Sequence, residues 1–374
     1  MQSQSNSHLE SKKWLLAFIL SFIVFLQYAR PFTDGLHATI PSIQFVLYLT
    51  FFGSAILLGF QKTEIFIKPY WYSLFIVAMP LFNLLLVFLF PEGHHENKLK
   101  ISFETLQFFL MTLIIVVTLS RATLIAILKR FTFIVFIVAL GFQVATSMHV
   151  LAPSELLNSN TIGYMLAPYL ILLFMSRSTL AYRIPVYIIG TLLIYITGAT
   201  TTLVGFVLLP LFMFIFNRVK HPRLIFTALI LGGFLVITIP ILYPSPIFES
   251  LFTHRDILWS VYFQHSSESL NSFLLGTGEW KVETVGVEIL EGLKAHNTYL
   301  SLLHLNGFIA LVMYLMFIIL GVRRVYTRFN IIDGLLFLSL TFQIAESNTP
   351  VFSFTYSSFI FAFCSLMNNR NIER

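Results

Sequence analysis

A histidine–asparagine pair, His296-Asn297, lies where a long polar segment meets the apolar run that begins at Thr298. An imidazole accepts and donates protons near neutral pH, which suits it to general acid–base chemistry. Beside a membrane, such a titratable group is costly unless it is used or hydrogen-bonded. The pair is therefore the first candidate for a catalytic site, and the rest of the chain must position it.

The composition is that of a membrane protein. Of 374 residues, 57% are hydrophobic and 11% are charged, whereas soluble domains carry about 25% charged residues. The apolar residues form blocks close to the roughly 20 residues that a spanning helix needs. Because lipid offers the backbone no hydrogen-bond partners, the predicted fold class is an all-α polytopic membrane protein. The single cysteine, Cys364, excludes an intrachain disulfide and a thiolate metal cluster.

The apolar blocks predict about twelve transmembrane helices. They cover Trp14–Leu26, Ser42–Phe60, Trp71–Phe90, Phe103–Leu119, Phe131–Leu151, Thr161–Met175, Ile184–Ala199, Thr202–Phe216, Leu224–Leu242, Thr298–Gly321, Gly334–Ala345 and Val351–Leu366. The seventh and eighth are separated only by a short Gly- and Thr-rich stretch. One kinked helix is the alternative there, but about 33 residues would exceed an ordinary bilayer.

The distribution of Lys and Arg predicts the orientation, because cytoplasmic loops are enriched in both. Alternate connections carry 17 of the 23 basic residues. The other connections hold only Arg30, Lys98, Lys100, Arg255, Lys281 and Lys294. Both tails, 1–13 and 368–374, are therefore expected in the cytoplasm. The net charge of +6 follows from this topology and indicates no nucleic-acid partner.

One connection is far longer than the others and is expected on the extracytoplasmic face. The nine helices within 14–242 are separated from the three within 298–367 by a loop over 243–297, rich in acidic residues. A loop of this length in a compact bundle is usually functional or disordered. Its mixed apolar and polar sequence predicts order, with a short helix over Arg255–Gln264.

Several motifs occur in and after this loop in a fixed order. They are Arg255-Asp256-Ile257-Leu258-Trp259, Gly276-Thr277-Gly278, His296-Asn297 followed by Tyr299-Leu300, and Gly307, with Asn158-Ser159-Asn160-Thr161-Ile162-Gly163 upstream. Together they resemble the O-antigen ligase and O-antigen polymerase family of bacterial membrane glycosyltransferases. The resemblance covers roughly the second half of the chain. It departs at the turn after the seventh span, where the family often has Ser-Arg and this chain has Thr200-Thr201-Thr202.

The resemblance implies transfer of a glycan from undecaprenyl diphosphate to an acceptor hydroxyl, on the outer face of a bacterial inner membrane. Arginine suits the diphosphate because its fork is permanently charged, which implies this role for Arg255, with Arg30 as a substitute for the missing family arginine. His296 is the implied catalytic base. The implied substrate contacts are Asn297, Asn160, Trp259 and Glu346. No cofactor is implied, and no metal is required if arginines neutralise the diphosphate.

Simpler structural roles compete with these assignments. Asn160 could cap the sixth span, Gly276 and Gly278 could be turn glycines, and Arg255 could pair with a loop carboxylate. Three functions remain open. A ligase would transfer finished O-antigen to the lipid A core in lipopolysaccharide biosynthesis, a polymerase would join polyprenyl-linked repeat units, and a secondary transporter would use the same bundle. The scarcity of charge within the spans disfavours the transporter.

Overall fold

The computed structural model describes residues 15, 18–24, 39–57, 70–89, 96–148, 159–243, 245, 255–279, 282, 295–321, 328–345 and 356–369. Within these residues every regular element is helical. The α-helices are α1 Thr39–Leu57, α2 Leu74–Leu89, α3 Glu96–Thr118, α4 Arg121–Ser147, α5 Ser159–Ser176, α6 Leu180–Thr197, α7 Thr200–Phe216, α8 Pro222–Leu242, α9 Arg255–Ser266, α10 Leu270–Leu275, α11 Thr298–Gly321, α12 Ile331–Ala345 and α13 Tyr356–Asn369. A short 3₁₀ turn, Trp71–Ser73, precedes α2.

Seven helices among the described residues are long and apolar enough to cross a bilayer. They are α2 with its 3₁₀ turn, α3, α4, α5, α6, α8 and α11. The helices α7, α12 and α13 are apolar but shorter. The chain is therefore a multi-pass membrane protein.

Two helices start earlier than the apolar pattern predicts. The helix α4 begins at Arg121 rather than Phe131, because Lys129 and Arg130 lie exposed on a helix that continues past its apolar segment. The helix α3 begins at Glu96 rather than Phe103, and Lys98 near its start is buried. In both helices, the charged residues lie inside the first turns of the helix, before its apolar segment begins.

The helices α6 and α7 form an antiparallel hairpin, not one kinked helix. Gly198 ends α6 in the left-handed conformation, with φ 74°, which glycine adopts without steric cost. The Tyr187 hydroxyl donates to the Val207 carbonyl across the hairpin at 2.9 Å. Gly190 allows the ring of Phe206 to approach closely, in the way small residues let membrane helices pack.

Further contacts establish which helix ends lie together. Near the end of α4, Gln143 donates to the Ile196 carbonyl near the end of α6 at 3.4 Å. Ser159 at the start of α5 lies against Gly198. These helix ends form one end of the bundle, which we call the junction end because the candidate site lies there.

The opposite end, called the basic end, collects the starts of α4, α6, α8 and α12. The Phe329 amide before α12 donates to the side chain of Asn217 after α7 at 2.9 Å, which places the start of α12 here. Nine of the twelve described Lys and Arg residues lie toward this end: Arg121, Lys129, Arg130, Arg177, Arg183, Arg218, Lys220, Arg223 and Arg328.

The short helix α12 is the centre of the bundle and is buried along nearly its whole length. It packs against α5, α7, α8, α11 and α13. Its polar side chains bond neighbouring helices: Ser339 shares a hydrogen bond with the Tyr164 hydroxyl at 2.7 Å, and Gln343 accepts one from Tyr314 at 2.8 Å. Such interhelical bonds in membranes are worth about 0.6–2 kcal/mol each. They tie α12 to α5 and α11.

Candidate functional site

The candidate site is built by α9, α10, residues 276–279 and residues 295–307, which together we call the junction. The helix α9 runs alongside the first half of α11 in the same direction. The Trp259 indole N–H donates to the Ala295 carbonyl at 2.8 Å, and one to two turns later Ser266 Oγ lies 3.2 Å from His304 Nδ1. The Arg-x-x-apolar-Trp and His-Asn motifs therefore meet in space.

His296 has a rare backbone conformation. Its φ of 46° makes it the one non-glycine residue with positive φ among those the structure describes. Such a conformation costs on the order of 1–3 kcal/mol and persists only where the surroundings enforce it. Ala295 and Asn297 on either side are fully buried, while His296 itself is half-buried. The flanking residues thus hold an accessible imidazole in a defined position.

Asn297 is the N-terminal cap of α11. Its side-chain oxygen accepts from the Leu300 amide at 2.9 Å, and its side-chain N–H₂ donates to the Ile344 carbonyl at the end of α12. The first bond satisfies an amide that a helix start leaves unpaired. The oxygen and the N–H₂ of this amide are therefore both hydrogen-bonded within the protein. Through them, Asn297 fixes the backbone next to His296 to the end of α12.

Arg255 is the first residue of α9 and is partly exposed. It lies four residues before Trp259, and this spacing places both on one face of the helix. Trp259 is only 1% exposed, so its indole supports the chain that leads into His296. Arg255 is one helical turn from the Trp259–Ala295 contact, and His296 is one residue from it.

The helix α11 is broken at Gly307, where φ is 84° and ψ is 174°. The break leaves the His304 and Leu305 carbonyls without helical partners, and the Gly-x-Gly segment supplies the donors. The Thr277 amide donates to His304 O at 2.8 Å, and the Gly278 amide donates to Leu305 O at 3.2 Å. Gly276 and Gly278 have φ of 79° and 82°. Non-helical backbone at membrane depth requires such partners. The Gly-x-Gly segment therefore makes a turn and also supplies hydrogen-bond donors to the carbonyls at the break in α11.

The backbones of Gly276 and Gly307 are in direct contact. A Cβ on Gly276 would lie 2.5 Å from the Gly307 nitrogen and 2.5 Å from the Leu305 carbonyl oxygen. A Cβ on Gly307 would overlap the Leu274 carbonyl oxygen. Only glycine fits at either position. The same backbone contact therefore accounts for the glycine at 276 and for the glycine at 307.

His304 closes the first half of α11 and is 1% exposed. Ser266 donates its hydroxyl proton to the Tyr262 carbonyl at 2.6 Å, so toward the imidazole it acts as an acceptor. His304 Nε2 lies 3.3 Å from the Thr277 hydroxyl, which also donates to the His304 carbonyl at 3.0 Å. The Tyr262 ring covers the imidazole edge to face, with centroids 4.8 Å apart. This histidine is enclosed by the protein and holds the junction together.

The rim of the junction is polar and accessible. His265 Nδ1 lies 2.9 Å from a Glu268 oxygen, and its Nε2 lies 3.5 Å from a Glu279 oxygen. Beneath them, burial raises the pKa of Tyr262 to about 12, and a hydrogen bond with the Val282 backbone partly offsets this. The Tyr262 hydroxyl therefore stays neutral at physiological pH.

Two buried polar contacts join the junction to α2 and α3. Lys98 Nζ donates to the Leu275 and Gly276 carbonyls at the end of α10, both at 2.9 Å, where a cation complements the helix dipole. The Asn83 side-chain N–H₂ donates to the Asn306 side-chain oxygen at 2.7 Å, next to the helix break. Neither contact was predicted from the sequence, although a lysine at a span boundary and a polar residue inside a span are visible signals.

The remaining predicted site residues do not lie at the junction or are not among the described residues. Arg30 and Glu346 lie outside the described residues, as does Asn158. Asn160 is the second residue of α5, whose start packs on the α6–α7 turn at Gly198. The run Thr200-Thr201-Thr202, predicted to lie in that turn, forms the first turn of α7 instead. Thr202 is 1% exposed, and its hydroxyl has no hydrogen-bond partner within the described part of the chain.

Among the described residues, no group of three His, Cys, Asp or Glu side chains is arranged to hold a metal ion. Comparison with known proteins finds no family model, no curated protein and no solved structure that matches this chain.

Proposed function

We propose that the chain is a membrane glycosyltransferase of the O-antigen ligase type, which transfers a glycan from undecaprenyl diphosphate to a lipid A core sugar. One observation carries the proposal. The motifs within residues 255–307 that resemble this family are separated in the chain, yet Trp259 bonds the residue before His296, and Gly276 contacts Gly307. The upstream motif, which includes Asn160 of α5, lies outside the junction. A set of family motifs that matched by chance would have no reason to converge on one junction.

In the proposed reaction, His296 removes the proton from the acceptor hydroxyl as its oxygen attacks the anomeric carbon of the glycan. The bond between that carbon and the diphosphate breaks, and the diphosphate leaves on its polyprenyl carrier. Arg255 holds the charge that develops on the diphosphate, with Arg30 as a second cation. The strained, half-buried position of His296 supports its role, because strained residues cluster at functional sites.

The proposal includes an orientation. About twelve helices span the bacterial inner membrane, both tails lie in the cytoplasm, and the loop over 243–297 faces the periplasm. The distribution of charge supports this, since nine of the twelve described basic residues lie at the end of the bundle opposite to the junction. A lipid-linked donor then reaches the junction from the outer leaflet.

A polymerase that joins repeat units on the same carrier is the alternative and would use the same residues. A secondary transporter is less favoured. A broken membrane helix is a feature that transporters use to bind ions, and α11 has such a break. Here, however, the carbonyls freed at the break accept hydrogen bonds from residues 277 and 278, so they are occupied by the protein rather than open to an ion.

The lipopolysaccharide ladder on a gel tests the proposal and separates the alternatives. In the native host we expect deletion of the gene to remove all banded O-antigen and to accumulate polyprenyl-linked glycan. The wild-type gene and a control variant, His221→Ala, which removes an exposed histidine at the basic end, should restore the ladder, whereas His296→Ala should not. Core bearing a single repeat unit would indicate the polymerase instead. An unchanged ladder would refute both functions in lipopolysaccharide synthesis.

A further inference from the structure

A groove at the basic end, far from the junction, lies between α4 and α5. Its volume is about 290 Å³. Lys129, Arg130 and Ser176 supply its polar lining, and Phe133, Tyr169 and Leu172 supply an apolar lining, which we call the floor. The Phe133 and Tyr169 rings pack together with centroids 5.2 Å apart, so the aromatic part of the floor joins α4 to α5.

The depth of the groove matches a membrane boundary. The 27 residues of α4 are about 40 Å long, which exceeds the roughly 30 Å hydrocarbon core. The neighbouring helix α5 has 18 residues and ends at Ser176, which lies level with Lys129 and Arg130 in the groove. We therefore expect the two cations to lie where lipid headgroups meet the acyl chains.

Within the described part of the chain, the helices α4 to α8, which form and flank the groove, carry basic but no acidic residues. Arg177 and Arg183 follow Ser176, and Arg183 Nε donates to the Arg177 carbonyl at 2.8 Å. No Asp or Glu occurs anywhere in residues 119–148 or 159–243. The helices that build this surface thus contribute positive charge alone, which complements an anionic ligand.

From these observations we propose that the groove binds an anionic phospholipid. Its phosphate lies between Lys129 and Arg130, and an acyl chain lies over the aromatic floor of Phe133 and Tyr169. Basic pockets between membrane helices bind anionic headgroups through the same combination of charge and apolar surface. This site is separate from the proposed glycan-transfer site at the other end of the bundle, so either proposal can fail without the other.

Native mass spectrometry of the full chain in detergent tests the site, with phosphatidylglycerol and phosphatidylcholine of the same acyl chains as probes. Two interfacial cations predict about tenfold to thirtyfold weaker phosphatidylglycerol binding in Lys129→Gln/Arg130→Gln. The control Arg218→Gln/Lys220→Gln removes two exposed cations from the same end and should bind as wild type.

Three results would overturn the proposal: unchanged binding in the groove variant, equal loss in the control, or equal binding of both lipids. Displacement of the lipid by millimolar inorganic phosphate would overturn the lipid assignment as well, because it would make a free phosphate the ligand. The apolar floor predicts that inorganic phosphate does not compete. Lys129→Arg, which keeps the charge, should retain phosphatidylglycerol binding.

Discussion

The contact between Gly276 and Gly307 makes a sharp prediction about stability. Alanine at either position meets two costs. Gly276 has φ 79° and ψ 159°, and Gly307 has φ 84° and ψ 174°; this region is essentially restricted to glycine and costs another residue about 1–3 kcal/mol. The new methyl group at Gly276 would also lie 2.5 Å from backbone atoms that cannot rotate away, and overpacking of this kind costs about 1–3 kcal/mol. We expect Gly276→Ala and Gly307→Ala each to lower the free energy of unfolding by about 2–6 kcal/mol.

Matched glycines in the same chain provide the control. Gly141 in α4 and Gly232 in α8 have no neighbouring atom within 4 Å of the place that an added methyl group would occupy. Alanine there should leave stability unchanged or raise it by about 0.5–1 kcal/mol, since glycine is a poor helix former. Thermal unfolding in detergent, followed by circular dichroism, measures all four variants in parallel.

The double variant Gly276→Ala/Gly307→Ala tests whether the two positions act together. Because each methyl would displace the other's backbone, the combined loss should be smaller than the sum of the single losses. If Gly276→Ala is as stable as Gly232→Ala, the close crossing of α10 and α11 is not formed. The reasoning about the sealed helix break would then be wrong.

Three other substitutions test the junction. His296→Gly relieves the positive φ and should change stability by less than about 1 kcal/mol, yet lower glycan transfer about 10²- to 10⁴-fold; substantial transfer would rule out a catalytic base. Lys98→Met leaves two buried carbonyls without a donor and should cost about 1–3 kcal/mol for each, whereas Lys100→Met, at an exposed position, should cost nothing measurable. Asn297→Ala removes the helix cap and should cost about 0.5–2 kcal/mol, and Asn297→Ser, which keeps a capping oxygen without burying a charge, should lose less; equal losses would contradict the capping role.

The all-helical character of the described residues and the short helix that begins at Arg255 agree with the sequence-based prediction, because both follow from local patterns. Apolar runs of about 20 residues indicate membrane helices, and the helix predicted over Arg255–Gln264 is present as Arg255–Ser266. The choice of two separate helices around Gly198 also depended on local information, namely a length limit and a glycine.

The sequence did not predict the break in α11, because its cause is not local. Gly307 within an apolar run looks like a tolerated helix glycine, and the amides that fill the break come from residues about thirty positions earlier. Lys98 caps α10 from 177 residues away, so no window of sequence could pair them. His304 was hidden for a different reason: its partners, Ser266 and Thr277, look like ordinary loop residues until the fold encloses them.

The central claim is that His296 and Arg255 transfer a glycan from a polyprenyl diphosphate, and a reconstituted reaction tests it most directly. Purified protein in detergent is supplied with undecaprenyl-diphosphate-linked glycan and a lipid A core acceptor, and released undecaprenyl diphosphate is measured. We expect release that depends on the acceptor from the wild type and from the His221→Ala control, and almost none from folded His296→Gly. Equal release from the wild type and His296→Gly would contradict the role of His296. No release from a folded wild type with either a core or a repeat-unit acceptor would contradict the proposed function itself.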